Sequence, residues 1–71
     1  MKILDDLQLR LNKIEAAVAF AATVLSEMTR RTNPLDDADR ERMRRARKLL
    51  EEAEAVGVTV LTDLELALRM S

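Results

Sequence analysis

Residues 4–28, LDDLQLRLNKIEAAVAFAATVLSEM, contain the pattern that decides the fold. Apolar side chains recur there at alternating spacings of three and four residues, at Leu4, Leu7, Leu11, Ile14, Val18, Ala21, Leu25 and Met28. This period is typical of a helix that packs against another helix. We therefore predict a first helix over about residues 3–29, with this heptad row as its packing seam.

The first helix also carries apolar side chains on its back. At about 100° per residue, Leu9, Ala16 and Phe20 lie far around the helix from Leu11. Phe20 is the single aromatic residue of the chain and fits either a core position or an anchor for a foreign partner. A helix that is apolar on several sides is buried by more than one neighbour. The expected self-association or partner interface consists of Leu9, Leu11, Ile14, Ala16, Val18, Phe20 and Leu25.

Turn-forming residues divide the rest of the chain. Asn33 and Pro34 fit the N-cap and first position of a second helix, predicted over about residues 34–56. Gly57 is a natural residue for ending that helix, and residues 58–61 then form either a strand or an extended linker. Thr62 and Glu65 fit a capping box that opens a short third helix over about residues 63–70.

The length of the chain argues for self-association. A single core in 71 residues seldom supplies more than about 3–5 kcal/mol, so such chains need further stabilisation. The absence of Cys excludes disulfides, and the absence of both Cys and His removes the usual zinc ligands. We predict an all-α fold with one helical domain over residues 1–71. Its first two helices form an antiparallel hairpin, the C-terminal helix is short, and two copies assemble into a four-helix-bundle-like homodimer.

Two charged features of the second helix leave alternatives open. Asp39 and Arg42 interrupt its apolar arc and form either a solvated end of the seam or an ion pair that fixes register. The Arg-rich start of the helix could contact the phosphates of a polyanion. The candidate residues for such contacts are Arg40, Arg44, Arg45, Arg47 and Lys48. Their wide angular spread and the flanking acids argue against nucleic-acid binding.

Composition argues against most enzyme classes. The chain lacks His, Cys and Tyr and therefore the usual general bases and strong nucleophiles, and its single Gly provides no phosphate-binding loop. We expect no catalytic residues, no cofactor and no metal. No uncharged stretch approaches the roughly 20 residues of a membrane span. Asp5 and Asp6 stand where a secretory signal is cationic, so we expect a cytoplasmic protein.

The favoured function is that of a small non-enzymatic protein–protein interaction module, such as a regulator, an adaptor or an inhibitor. The alternative is a small nucleic-acid-associated protein that uses the Arg-rich start of the second helix. The two differ in whether a labelled duplex is bound in a salt-dependent way.

Overall fold

The computed structural model describes residues 2–70 and contains two α-helices over that range, with no strand. Helix α1 spans Lys2–Arg30 and helix α2 spans Asp37–Met70. The two helices lie side by side in a rod with extents of 54 × 16 × 15 Å. The predicted all-α fold class is confirmed.

Helix α1 begins and ends within one residue of its predicted bounds. Its sequence combines strong helix formers with an acidic residue in the first turn, Asp5, and a basic residue in the last turn, Arg30. Both charges are placed favourably for the helix dipole. The chain leaves the helix at Arg31, whose N–H donates to the carbonyl of Met28 at 3.2 Å.

Helix α2 starts at Asp37, three residues later than predicted. The cap is Asp36 instead of Asn33, because the Asp36 carboxylate accepts the backbone N–H of Asp39 at 2.8 Å. The Asp39 carboxylate in turn accepts the backbone N–H of Asp36 at 3.2 Å, which completes a reciprocal capping box. The hydrogen bond from the Asp39 backbone lowers the pKa of Asp36. Asn33 and Pro34 lie in the connection over residues 31–36.

The predicted break at Gly57 and the separate third helix are wrong, since α2 continues without interruption to Met70. Val60, in the segment expected to be extended, is buried in the helix–helix interface. Thr59 and Thr62 donate their hydroxyls to the carbonyls of Val56 at 2.7 Å and Val58 at 3.1 Å, so Thr62 is an internal helix residue and not a cap. Burial of this face of α2 outweighs the helix-breaking preference of Gly57.

The two helices meet along one heptad seam on each. On α1 the seam positions are Ile3, Leu7, Arg10, Ile14, Ala17, Ala21, Val24 and Met28, and each is buried or half-buried. On α2 they are Asp39, Arg42, Ala46, Leu49, Ala53, Val56, Val60, Asp63 and Ala67, with the same burial. Both rows alternate spacings of three and four residues, as in coiled coils.

The seam of α1 differs from the prediction at every second position. Leu7 and Ala21 are buried as expected, and Ile14 approaches Gly57 of α2. The seam positions between these residues each lie one residue earlier than predicted. For example, Val24 is buried and Leu25 is exposed. Leu4, Leu11, Val18 and Leu25 are 38–57% exposed. The heptad period is therefore correct, and half of the seam is assigned to the wrong neighbouring row.

Ion pairs join the helices near both ends of the seam. Arg10 donates through one nitrogen, Nη2, to Asp63 and Asp6 at 2.6 Å each, and through Nη1 to the Thr59 hydroxyl at 3.0 Å. Near the connection, Arg42 of α2 pairs with Glu27 of α1 at 2.5 Å. Because Arg10 is near the start of α1 and Asp63 near the end of α2, these pairs accompany an antiparallel arrangement.

Candidate protein-interaction surface

One side of the hairpin carries a row of apolar side chains from each helix, all of them exposed except the half-buried Met43. The residues of each row are spaced by seven, or by fourteen across Gly57, so they stay on one side of a helix that follows a heptad seam. We call this surface the lateral face; it consists of Leu4, Leu11, Val18 and Leu25 of α1 and Met43, Leu50 and Leu64 of α2.

A groove between the two helices brings both rows together at the end near the connection. Leu25, Met43 and Leu50 line it, and the buried residues Ala21, Val24 and Ala46 form its floor. Its volume is about 600 Å³. The α2 rim of the groove carries Arg40, Arg44 and Arg47 followed by Glu51 and Glu54. The groove is apolar at its base and charged along its outer edge, as protein interfaces with a polar rim are.

The predicted back-face residues Leu9, Ala16 and Phe20 lie on the opposite side of the hairpin. Phe20 is about 140° around α1 from Leu25 at 100° per residue. Its ring is half-buried, and the guanidinium carbon of Arg45 lies 6.0 Å from the ring centroid, within the range of a cation–π contact. Ala16 lines a second, smaller groove with Leu49 and Val56. Leu9 is the large apolar side chain that this side leaves most open, at 62% exposure.

The expected interface residues are thus divided among three surfaces. Ile14 is in the hairpin seam, at the level of Gly57. Leu11, Val18 and Leu25 lie on the lateral face. Leu9, Ala16 and Phe20 lie on the opposite side. In the hairpin these residues therefore do not form one continuous surface.

Asp39 and Arg42 do not pair with each other; each pairs with a third residue. Asp39 is 2% exposed and accepts a hydrogen bond from Arg31 in addition to that from the Asp36 backbone. Arg42 pairs with Glu27, whose hydrogen bond raises the pKa of Arg42, and the pKa of Glu27 is lowered in return. Both residues occupy seam positions, and the ion pair between them, one of the two alternatives, is not formed; instead two separate pairs join α2 to the connection and to α1.

The Arg-rich start of α2 is largely paired with neighbouring acids. Arg40 contacts Asp37 at 3.2 Å, Arg44 contacts Glu41 at 3.1 Å and Arg47 contacts Glu51 at 3.0 Å. Arg45 is the residue that covers Phe20. Lys48 lies beside Arg45 in a shallow surface depression that also contains Glu41 and Glu52. Arg40, Arg44 and Arg47 therefore lie along one rim, each paired with a carboxylate, whereas Arg45 and Lys48 lie on another side of α2.

Residues 2–70 contain neither a metal-site cluster nor a membrane-spanning helix. Within this range, no three acidic side chains come together in the way that a metal site requires. Neither α1 nor α2 has a stretch long and apolar enough to cross a lipid bilayer.

The sequence alone did not identify the α2 half of the lateral face or the interhelical role of Arg10. The α2 half could have been found from its spacing, because Met43, Leu50, Gly57 and Leu64 are seven residues apart. Arg10 lies in a register as regular as the predicted one, with Ile3, Ala17 and Val24 at the same spacing. Its charge argues against a seam position in the sequence alone. In the structure that charge is paired with Asp63 of α2.

The hairpin exposes more surface than a folded protein of its mass normally does. Its accessible area is 5822 Å², whereas a mass of 8.1 kDa corresponds to about 4,500 Å² for folded monomers. The buried apolar side chains in the described part of the chain are few and mostly small: Leu7, Ala17, Ala21, Val24, Ala46 and Val60. Over the same described residues, twelve large apolar side chains are 38–76% exposed. Those of the lateral face form one candidate interaction surface.

Comparison with known proteins adds no family to this description. No protein-family model matches the chain, and neither the curated proteins nor the solved structures give a significant match.

Proposed function

We propose that this chain is a small non-enzymatic protein-interaction module that works in the cytoplasm as a homodimer of helical hairpins. Its action is that of a regulator, an adaptor or an inhibitor: it binds other proteins and performs no chemistry on them. The observation that supports the proposal best is the exposed lateral face on a hairpin with a small core.

The area of the hairpin supports self-association quantitatively. The excess over a typical folded monomer is about 1,300 Å². A standard protein interface buries about 800 Å² on each partner, so a second hairpin placed on the lateral face could remove an excess of this size. The aliphatic side chains concentrated there would provide the hydrophobic part of the association energy.

The composition supports a binding role over catalysis. The chain has no His, Cys or Tyr, and Arg40, Arg44 and Arg47 are engaged in ion pairs with helical neighbours. In a dimer formed through the lateral face, the opposite side with Leu9 and the Arg45-covered Phe20 remains open to a further protein. Aromatic and Arg side chains are common anchors in such contacts.

Sedimentation equilibrium at micromolar concentration tests the proposal directly. We expect a mass of twice 8.1 kDa together with a cooperative thermal transition. A protein that is cooperatively folded and strictly monomeric at that concentration would overturn the dimer.

A binding assay with labelled duplex DNA and RNA tests the alternative function. The pairing of Arg40, Arg44 and Arg47 with acids leads us to expect no binding at physiological salt. Micromolar binding that weakens with salt, and that weakens further when Arg44 and Arg47 are replaced by Gln, would favour the nucleic-acid-associated protein instead. The paired variant Glu41→Gln is the control, since it removes an acid and should not weaken such binding.

A further inference from the structure

We infer that the two copies pack through their lateral faces, with the α2 helices antiparallel across a two-fold axis near Leu50. This inference rests on the proposed function and specifies the face, the partner and the orientation. The partner is a second copy of this chain.

The choice of face follows from where large aliphatic side chains are exposed on both helices. The lateral face has exposed members on each helix, with Leu11, Val18 and Leu25 on α1 and Leu50 and Leu64 on α2. On the opposite side, the Arg45 guanidinium already covers Phe20, and the surface between the helices carries Lys13 and Glu52. On the lateral face the charges lie along the outer rim of α2, whereas Lys13 and Glu52 lie between the helices, so a second hairpin on the lateral face would bury less unpaired charge at its centre.

The charges along the rim of the lateral face select the orientation. On α2 the N-terminal half of this rim carries Arg40, Arg44 and Arg47, and the following turns carry Glu51 and Glu54. In a parallel dimer the two-fold axis runs along the rod and α2 faces α1 of the other copy, whose side chains at this height, Ala19, Ala22 and Ser26, have no charge to pair with the rim. Antiparallel helices centred near Leu50 bring Arg47 of one copy close to Glu54 of the other. The exposed Arg47–Glu51 pair within each chain does not prevent this, since Arg has several donors.

The position of the axis agrees with the length of the hairpin. Leu50 is near the middle of the rod, because α2 spans residues 37–70 and the connection begins at Arg31. An axis at this level therefore overlaps the two hairpins over most of their length. An axis at this level also makes the antiparallel and parallel dimers distinguishable by the distance between the two copies of one residue. In the antiparallel dimer the two copies of Leu64 are separated by about 40 Å along the helices, and in a parallel dimer they are at the same height.

Cysteine cross-linking of the full chain tests these points, because the natural sequence has no Cys to interfere. The variants are Leu50→Cys at the inferred axis, Leu64→Cys far from it, and Ala16→Cys on the opposite side. Under mild oxidation we expect Leu50→Cys to give mostly covalent dimer, and the other two to remain largely uncross-linked. A disulfide requires Cα atoms within about 7 Å, so the readout is specific for residues at the contact.

A second pair of variants keeps the test valid if Leu50→Cys fails to fold. Arg47 and Glu54 line the outer rim, so Arg47→Cys and Glu54→Cys should leave the helices intact. An equimolar mixture of these two proteins should form the mixed disulfide in preference to either self-linked dimer. Strong self-linking of Arg47→Cys, or of Leu64→Cys, would overturn the inference.

The remaining outcomes separate this inference from the proposed function. Suppose that the protein sediments as a dimer, that Ala16→Cys cross-links and that Leu50→Cys does not. The dimer then forms through the opposite side, so the proposed dimeric module is retained and the inferred face is wrong. If the folded chain is monomeric and no variant cross-links, the homodimer itself is refuted.

Discussion

Replacement of Gly57 by Ala should stabilise the protein, because Gly57 lies inside a continuous helix. Residue 57 is 13 residues from the end of α2 and has no positive φ angle. A methyl group built at this position has Ile14 Cδ1 of α1 at 3.9 Å as its nearest neighbour, which is ordinary van der Waals contact. The substitution therefore introduces no clash and adds apolar contact across the seam.

The expected gain comes from backbone entropy and from this contact. Gly is about 0.8–1.0 kcal/mol less favourable than Ala in a helix interior. For a domain of 60–100 residues, 1 kcal/mol corresponds to a rise in Tm of about 4–8 °C. Thermal and urea unfolding followed by circular dichroism measure both quantities. The two proteins must be compared at equal concentration, since the stability of a dimer depends on it.

A matched control and a refuting result make the experiment decisive. Ala55 is exposed on the same helix two residues earlier, so Ala55→Gly should lower stability by a similar amount, about 1 kcal/mol. If α2 ended at Gly57 with a left-handed residue, Ala would be strained there by about 1–2 kcal/mol. A lower Tm for Gly57→Ala, with the expected loss for Ala55→Gly, would therefore refute the continuous helix.

Two further predictions concern the seam and its ion pairs. Leu7 is 3% exposed, so Leu7→Ala should lower the free energy of unfolding by about 2–5 kcal/mol in urea titrations; Leu9→Ala on the exposed side should change it by only about 0.5 kcal/mol, and equal effects would contradict the seam. Acid should also destabilise the hairpin, because the hydrogen bond from Arg42 lowers the pKa of Glu27 from its usual 4.5 in the folded state. That contribution is present above pH 4.5 and is lost as the pH falls through the folded pKa, so Tm should fall as the pH is lowered below about 4.5, and Glu27→Gln should reduce this fall.

The extent of α1 could be predicted because its signals agree with one another. Strong helix formers, a heptad row and a cationic C-terminal turn all indicate one helix over nearly the same residues. The start of α2 was less certain, since two capping signals compete. Asn33-Pro34 fits one cap, and Asp36 with Asp39 three residues later fits a capping box in which Asp replaces the usual Glu. In the structure, Asp36 and Asp39 form the cap.

The register of the seam could not be decided from α1 alone. Leu7 and Ala21 can be combined with a row through Leu11 and Val18 or with a row through Arg10 and Ala17, at equally regular spacings. The first row is the more apolar, so hydrophobicity favoured it. The structure selects the second, in which Arg10 pairs with Asp63, more than 50 residues away. A sequence pattern in one helix contains no information about such a distant partner.

The alanines of the seam explain why so much apolar surface is left outside it. Ala17, Ala21, Ala46 and Ala53 occupy central seam positions, and small side chains bury little area when two helices meet. Half of the twelve exposed large apolar side chains lie on the lateral face beside the seam, where a single hairpin covers them on one side only. A hairpin built this way gains little hydrophobic energy from its own interface. The lateral face contains the apolar area that is missing from the seam, which is why we place the second copy there.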